Sequence, residues 1–216
     1  ERLVGVGLKP VHVDEILAGS AQMGFFEIHA ENYMGAGGAP HRHLAAIRER
    51  YPLSIHGVGM SLGGSDELDH RHMERLRRLV DRYEPMLVSE HLAWSVHGGH
   101  FLDDLLPIPY TMASLERVVD HVDQLQAVLG RQILLENPST YLSFGESSLD
   151  EVEFLATVAG RSGCGLLLDR ESVFMMNPAM DVTDLAIQRL NTALPTLSFN
   201  RMAVPAQTQA QPAAAR

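Results

Sequence analysis

Short apolar runs alternate along the chain with longer segments that have the periodicity of helices. Six such runs occupy residues 3–8, 25–30, 53–58, 86–94, 132–138 and 165–169. Most are apolar at both odd and even positions, which is typical of strands that are covered on both faces, as in a parallel sheet. The pattern therefore predicts six parallel strands.

The segments between these runs have the spacing of amphipathic helices. In 111–129, apolar residues recur at i, i+3, i+4 and i+7, which places them on one helical face. Ser148 and Glu151 have the spacing of a capping box, and Gly160 is a typical helix end. The predicted helices are 12–22, 40–50, 66–83, 111–129 and 148–160.

Strands that alternate with helices indicate an α/β protein, for which two architectures compete. A doubly wound dinucleotide fold loses support because no Gly-x-Gly-x-x-Gly follows the first strand. In a TIM (β/α)8 barrel, functional residues gather at the C-terminal ends of several strands, and this chain has that pattern. We therefore expect one TIM-barrel-like domain over residues 1–202, followed by a tail over 203–216 whose Ala/Gln/Pro composition predicts disorder.

Composition narrows the classes of function. The net charge of -10 argues against a nucleic-acid partner, because binding to phosphates needs a basic surface. No stretch approaches the roughly 20 apolar residues of a membrane span. The single cysteine, Cys164, cannot form an internal disulfide, lies beside an apolar run and is interpreted as a core residue. These features favour a cytoplasmic protein without a membrane anchor.

Ionisable and amide side chains stand at the ends of consecutive predicted strands. They are His56, Glu90, His91, Glu136, Asn137 and Asp169. Taken singly, a histidine in a strand is often a hydrogen-bonded core residue, and a carboxylate that ends a strand is often the N-cap of the next helix. Buried together without partners, these groups would destabilise the folded state by several kcal/mol, since even one neutral polar group costs about 2–7 kcal/mol. A metal cluster would offset that cost. Histidines and carboxylates without thiolates suit iron, manganese or zinc.

Two further histidines are weaker ligand candidates. His97 and His100 belong to a glycine-rich segment, which we expect to be a loop over the mouth of the barrel. The glycine-rich stretch 61–64 lacks the Lys-Ser/Thr pair of a phosphate-binding loop, so the signal for an anion site there is weak.

Long sequence blocks over residues 1–169 resemble a known family. In chain order they are GVGLKP, FFEIHAENYM, SIHGVGMSLGG, SEHLAWS, LPIPYT, LLENPSTYL and LLLD. They resemble the DUF692 (UPF0276) proteins, the multinuclear non-haem iron-dependent oxidative enzymes. The resemblance implies a TIM barrel with two or three iron ions that uses O2 to modify cysteines in ribosomally made precursor peptides, as in methanobactin-type copper chelators. It also implies a small partner protein that delivers the peptide.

The resemblance also assigns roles to residues. His56, His91, Glu136 and Asp169 correspond to iron ligands of the family, and Asn137 and Glu90 match residues of the same motifs. It implies that ferrous iron activates oxygen while another iron binds the substrate thiolate. The carboxylates would then bridge or tune the metals.

The sequence departs from the family pattern after Asp169. Arg170-Glu171-Ser172-Val173 stands where the family has an asparagine-containing stretch, and the later histidine-bearing blocks are absent. We therefore expect a barrel whose closing third is missing or replaced. Two alternatives stay open: a truncated, catalytically impaired relative that retains only binding, and a divalent-metal-dependent isomerase or phosphodiesterase-like barrel.

Overall fold

A parallel six-stranded sheet organises the computed structural model, which describes residues 4–19, 23–137 and 142–167. The strands of this sheet are β1 (Gly5–Gly7), β2 (Phe25–His29), β3 (Leu53–Gly57), β4 (Leu87–His91), β7 (Leu134–Glu136) and β8 (Gly165–Leu167). Their order is β1-β2-β3-β4-β7-β8, and every neighbouring pair is parallel. Each one lies within one of the six predicted runs, so the predicted strands are confirmed.

Helices connect these strands in the pattern of a (β/α) barrel. They are α1 (Val13–Ala18), α2 (Ala39–Arg48), α3 (His70–Tyr83), α4 (Met112–Leu129) and α5 (Glu151–Ser162). All five predicted helices are present, and the fold class is that of a TIM barrel. No helix in these described ranges has both the length and the apolar character needed to cross a bilayer. Barrel closure, the predicted domain end at residue 202 and the predicted tail lie outside the described residues.

The start and end of α5 differ from the prediction. Asp150 is the N-cap, and its carboxylate accepts a hydrogen bond from the Glu153 amide at 2.8 Å. The amide of Ser148 instead donates to the Tyr110 carbonyl, so the predicted capping box is wrong. The helix continues through Gly160 and ends before Gly163, whose φ of 70° is favourable for glycine.

The core lies between the sheet and the helices. Its fully buried side chains include Ile28, Ile55 and Leu135 from strands, and Leu125 and Phe154 from helices. Burial of an aliphatic or aromatic side chain of this size contributes about 1.5–3 kcal/mol. Cys164 is also fully buried, as its apolar neighbours in the sequence predicted.

The segment after β4 is a hairpin, so the predicted glycine-rich loop is wrong. The antiparallel strands β5 (Trp94–His97) and β6 (His100–Leu106) are joined by Gly98 and Gly99, whose φ values of 56° and 76° favour a tight turn. The Ser61 hydroxyl accepts hydrogen bonds from the Ser95 amide at 2.9 Å and the Val96 amide at 3.1 Å. These bonds anchor the hairpin to the segment after β3.

Candidate metal site

Three side chains converge at the C-terminal ends of β3, β4 and β7. Strand register pairs His91 with Glu136 and pairs His56 with Ser89, two residues before His91, so all three side chains project from one face of the sheet. His56 Nε2 lies 3.3 Å from Glu136 Oε2 and 3.4 Å from His91 Nε2. His91 Nε2 lies 3.9 Å from the same carboxylate oxygen.

The surroundings of the two histidines suit metal binding. Burial, with smaller contributions from His91 and His29, lowers the pKa of His56 to about 4, so the ring is neutral at neutral pH. His91 Nδ1 lies 3.2 Å from the carbonyl oxygen of Gly57. Because a carbonyl can only accept, Nδ1 of His91 carries the hydrogen, and in the neutral ring Nε2 keeps its lone pair.

These donors fit a divalent transition metal. Within the described ranges, His56, His91 and Glu136 form the group of histidine, cysteine and acidic side chains with ligand spacing, their ligand atoms all within 4.8 Å of one another. Two imidazoles and one carboxylate, with no thiolate, are the ligand set of many non-haem Fe(II) sites and are also compatible with zinc.

Glu90, also predicted as a ligand, projects from the opposite face of β4. It is only 1% exposed, and its Oε1 accepts a hydrogen bond from the Met60 amide at 2.7 Å. Its Oε2 has no hydrogen-bond partner among the described residues and lies over Gly57, where a Cβ would overlap it. Burial, reinforced by Glu31 and Glu136, raises the pKa of Glu90 well above its usual value.

Of the remaining two predicted ligands, the structure describes one. Asn137 is buried directly after β7, and its Nδ2 donates to Glu151 Oε1 at 3.4 Å. Asp169 lies outside the described residues. The structure therefore brings together three of the five singled-out residues that it describes.

Sequence reasoning missed two sets of contacts beside the site. Glu31 Oε1 accepts from the amides of Val58 and Gly59 and lies 3.3 Å from His72 Nε2. Burial acts to raise the pKa of Glu31, but these partners outweigh it and hold the pKa below its usual value. Nothing in the sequence pairs a residue of the β2 end with one of α3.

The second missed contact is that of Ser89. Its hydroxyl oxygen lies 2.7 Å from His56 Nδ1 in the buried interior. The only sequence signal was its position two residues before His91, which puts both side chains on one face of a strand.

Two other buried histidines have hydrogen bonds away from this site. His41 Nδ1 lies 2.7 Å from the Tyr83 hydroxyl, and His121 Nδ1 lies 3.0 Å from the Leu62 carbonyl. His97 is exposed on the hairpin, 3.8 Å from Asp66. These contacts are structural, and none of the three residues joins the metal-ligand group.

Comparison with known proteins places this chain in a family. The family model described as "RiPP precursor modification enzyme MbnB/TglH/ChrH" matches residues 3–193. A UPF0276 protein of Paraburkholderia phytofirmans is 60% identical over 172 residues, and one of Rhizobium meliloti is 56% identical over 174 residues. Each alignment covers 80% of this chain and 56% of the relative, so the chain spans little more than half the length of these curated relatives.

Solved structures with low sequence identity share the fold. D-psicose 3-epimerase from Clostridium cellulolyticum has a TM-score of 0.57 at 14% identity, covering 89% of this chain and 71% of the epimerase. Endonuclease IV from Thermus thermophilus has a TM-score of 0.57 at 17% identity, covering 89% of this chain and 72% of the endonuclease. At such identities the likeness supports the barrel architecture and carries no activity with it.

Proposed function

Because the chain belongs to the MbnB/TglH/ChrH family of RiPP precursor modification enzymes, we propose that it oxidatively modifies cysteines in a ribosomally made precursor peptide. Non-haem iron is the proposed cofactor, with O2 as co-substrate. The observation that carries this proposal is the convergence of His56, His91 and Glu136, a two-histidine, one-carboxylate set suited to Fe(II).

The residues of the chain have separate parts in this proposal. His56 and His91 offer imidazole nitrogens, and Glu136 offers a carboxylate oxygen that would balance part of the metal charge. Asp169 and Asn137 are the proposed further ligands of a centre that holds two or three iron ions in all. Bound iron would supply the electron-transfer chemistry with O2 that no protein side chain offers. The chain's residues hold the metal and shield it, since the three side chains are 8%, 14% and 14% exposed.

The peptide substrate brings further partners into the proposal. A small protein delivers the cysteine-containing precursor to the barrel mouth, and the reaction takes place in the cytoplasm of a bacterium. The family description, which names precursor modification, supports a peptide substrate.

Metal analysis tests the site. The protein is prepared without oxygen, as are His56→Ala, Glu136→Ala and the control His100→Ala, which removes an exposed hairpin histidine outside the group. We expect iron in the wild type and the control, and a marked loss in the two site variants, because each removes one of three ligands. Equal iron in all four proteins would contradict the ligand assignment.

Oxygen consumption tests the chemistry. With the partner protein present, we expect iron-loaded protein to consume O2 with a cysteine-containing precursor peptide and not with its serine counterpart. Turnover of a ketose sugar or cleavage of a DNA phosphodiester without O2 would favour the isomerase or phosphodiesterase alternative. A folded chain that binds the peptide but no metal would favour the impaired relative.

A further inference from the structure

The proposed ligand set leaves one contact of the metal site unexplained, the contact between Ser89 and His56. Its Cα is paired with that of His56 in the β3–β4 register, so the two side chains stand beside each other on one face. The hydroxyl lies 2.7 Å from His56 Nδ1, on the opposite side of the imidazole from the nitrogen that faces Glu136. Ser89 is 1% exposed, so bulk water does not compete for this hydrogen bond.

The hydrogen bond matters because an imidazole can bind a metal only through an unprotonated nitrogen. A neutral ring carries one hydrogen, and the partner of one nitrogen decides which nitrogen keeps its lone pair. A serine hydroxyl can either donate to Nδ1 or accept from Nδ1–H, and in the second case Nε2 of His56 keeps its lone pair for the metal. It also fixes the ring plane, since rotation of the imidazole would break a buried bond.

We propose that Ser89 is a positioning residue that fixes the orientation of His56 and accepts its Nδ1–H when Nε2 binds a metal. The proposal rests on the proposed metal centre and adds to it a residue outside the ligand set. It explains why a buried polar residue occupies this strand position, where its neighbour Val88 is apolar.

His91 has an equivalent contact, which runs from β4 to β3. Its Nδ1 donates to the carbonyl of Gly57, which follows His56 on β3. A residue of β4 therefore orients the histidine of β3, and a residue of β3 orients the histidine of β4. Because one of the two partners is a backbone carbonyl, Ser89 is the one that mutation can remove.

The test measures Zn²⁺ binding to the full chain, because zinc accepts the same donors and is diamagnetic. Ser89→Ala removes the hydroxyl, and we expect the affinity for Zn²⁺ to fall by about 10–100-fold, as is usual when the hydrogen-bond partner of a ligating histidine is lost. Ser54→Ala is the matched control. Ser54 is a buried serine on the same face of β3 whose hydroxyl donates to Glu27 at 2.9 Å and does not contact His56.

Nuclear magnetic resonance of the Zn²⁺-bound protein gives a readout that simple destabilisation would not produce. We expect a slowly exchanging His56 Nδ1–H in the wild type and in Ser54→Ala, and its loss or displacement in Ser89→Ala. Should Ser89→Ala not fold, Ser89→Cys keeps nearly the same volume with a weaker acceptor and is expected to show a smaller effect of the same sign.

The outcomes separate this inference from the proposed function. If His56→Ala abolishes Zn²⁺ binding while Ser89→Ala and Ser89→Cys bind as the wild type does, the metal site stands and the role of Ser89 is refuted. An equal loss of affinity in Ser54→Ala would also refute it. If His56→Ala binds Zn²⁺ normally, the metal site itself is refuted.

Discussion

The two faces of β3 and β4 are equally buried but are held in different ways. On the face toward the helices lie Ile55 and Val88, which pack against aliphatic side chains of the core. On the other face lie His56 and Ser89, which contact each other through one hydrogen bond. All four residues are at most 6% exposed.

This difference shows that burial alone does not identify a core. The apolar face is stabilised by the area removed from water, which is non-directional and tolerates changes of shape better than changes of volume. The polar face depends on particular atoms at particular distances, because a buried polar group without a partner costs about 1–3 kcal/mol. Substitutions on the first face should therefore alter stability, and substitutions on the second should alter metal binding.

The largest effect on stability is expected from Ile55→Ala. Deleting buried methylene and methyl groups leaves a cavity beside β4, so the free energy of unfolding should fall by about 2–5 kcal/mol. Urea denaturation measures this loss. Zn²⁺ affinity of the folded variant should match that of the wild type, and a loss of affinity as large as that of His56→Ala would remove the distinction between the two faces.

Because it carries His56, the polar face should make the free energy of unfolding depend on pH. The pKa of His56 is about 4 in the folded protein and about 6.5 in the unfolded chain, so the unfolded state binds more protons between these values. For metal-free protein, the free energy of unfolding should fall as pH drops from about 6.5 to about 4, by up to about 3 kcal/mol from this residue. Comparison of denaturation curves with those of His56→Gln isolates its share, and identical pH profiles would show that His56 does not contribute.

A smaller loss is expected from Gly57→Ala, on the face that carries Ile55 and Glu90. The added Cβ would overlap Glu90 Oε2, and the buried carboxylate has no exposed space to enter, so we expect a cost of about 1–3 kcal/mol. In the background of Glu90→Ala the same substitution should cost less, because the overlapping atoms are gone. Strictly additive losses in this double-mutant cycle would show that the Glu90 side chain is not the obstacle.

The smallest effect is expected on the exposed hairpin. Phe101 is 57% exposed, so Phe101→Ser should alter the free energy of unfolding by no more than about 0.5 kcal/mol and leave Zn²⁺ affinity unchanged. Thermal denaturation and a Zn²⁺ titration check both values. A large loss in either would mean that the hairpin is part of the apolar core or of the metal site.

Regular patterns made much of the fold predictable. The strands and helices of the sheet follow from runs and periodicities that extend over many residues, as in β3 and α4. The hairpin was not predictable in this way, because the polar residues His100, Asp103 and Asp104 interrupt the apolar pattern expected of a strand in β6. The start of α5 was misplaced because Ser148 and Asp150 are both good N-cap residues, and only their surroundings decide between them.

The candidate site was predictable to a similar extent. His56, His91 and Glu136 stand at strand ends, and parallel strands present those ends at one edge of a sheet. Glu90 precedes His91 and was singled out as a residue of the same motif, but successive residues of a strand point to opposite faces. Ser89 could not be found from the sequence, because a serine in a strand becomes informative only when its neighbour on the next strand is known.

The sequence by itself determined the α/β architecture, the family and the strand ends where polar groups gather, since these depend on local periodicity and on residue type. Only the tertiary structure decided which of those groups meet, because strand register sets the partner of each residue and a shift of one residue would reverse every face. That register places His56, His91 and Glu136 within reach of one ion, and sets Ser89 behind His56.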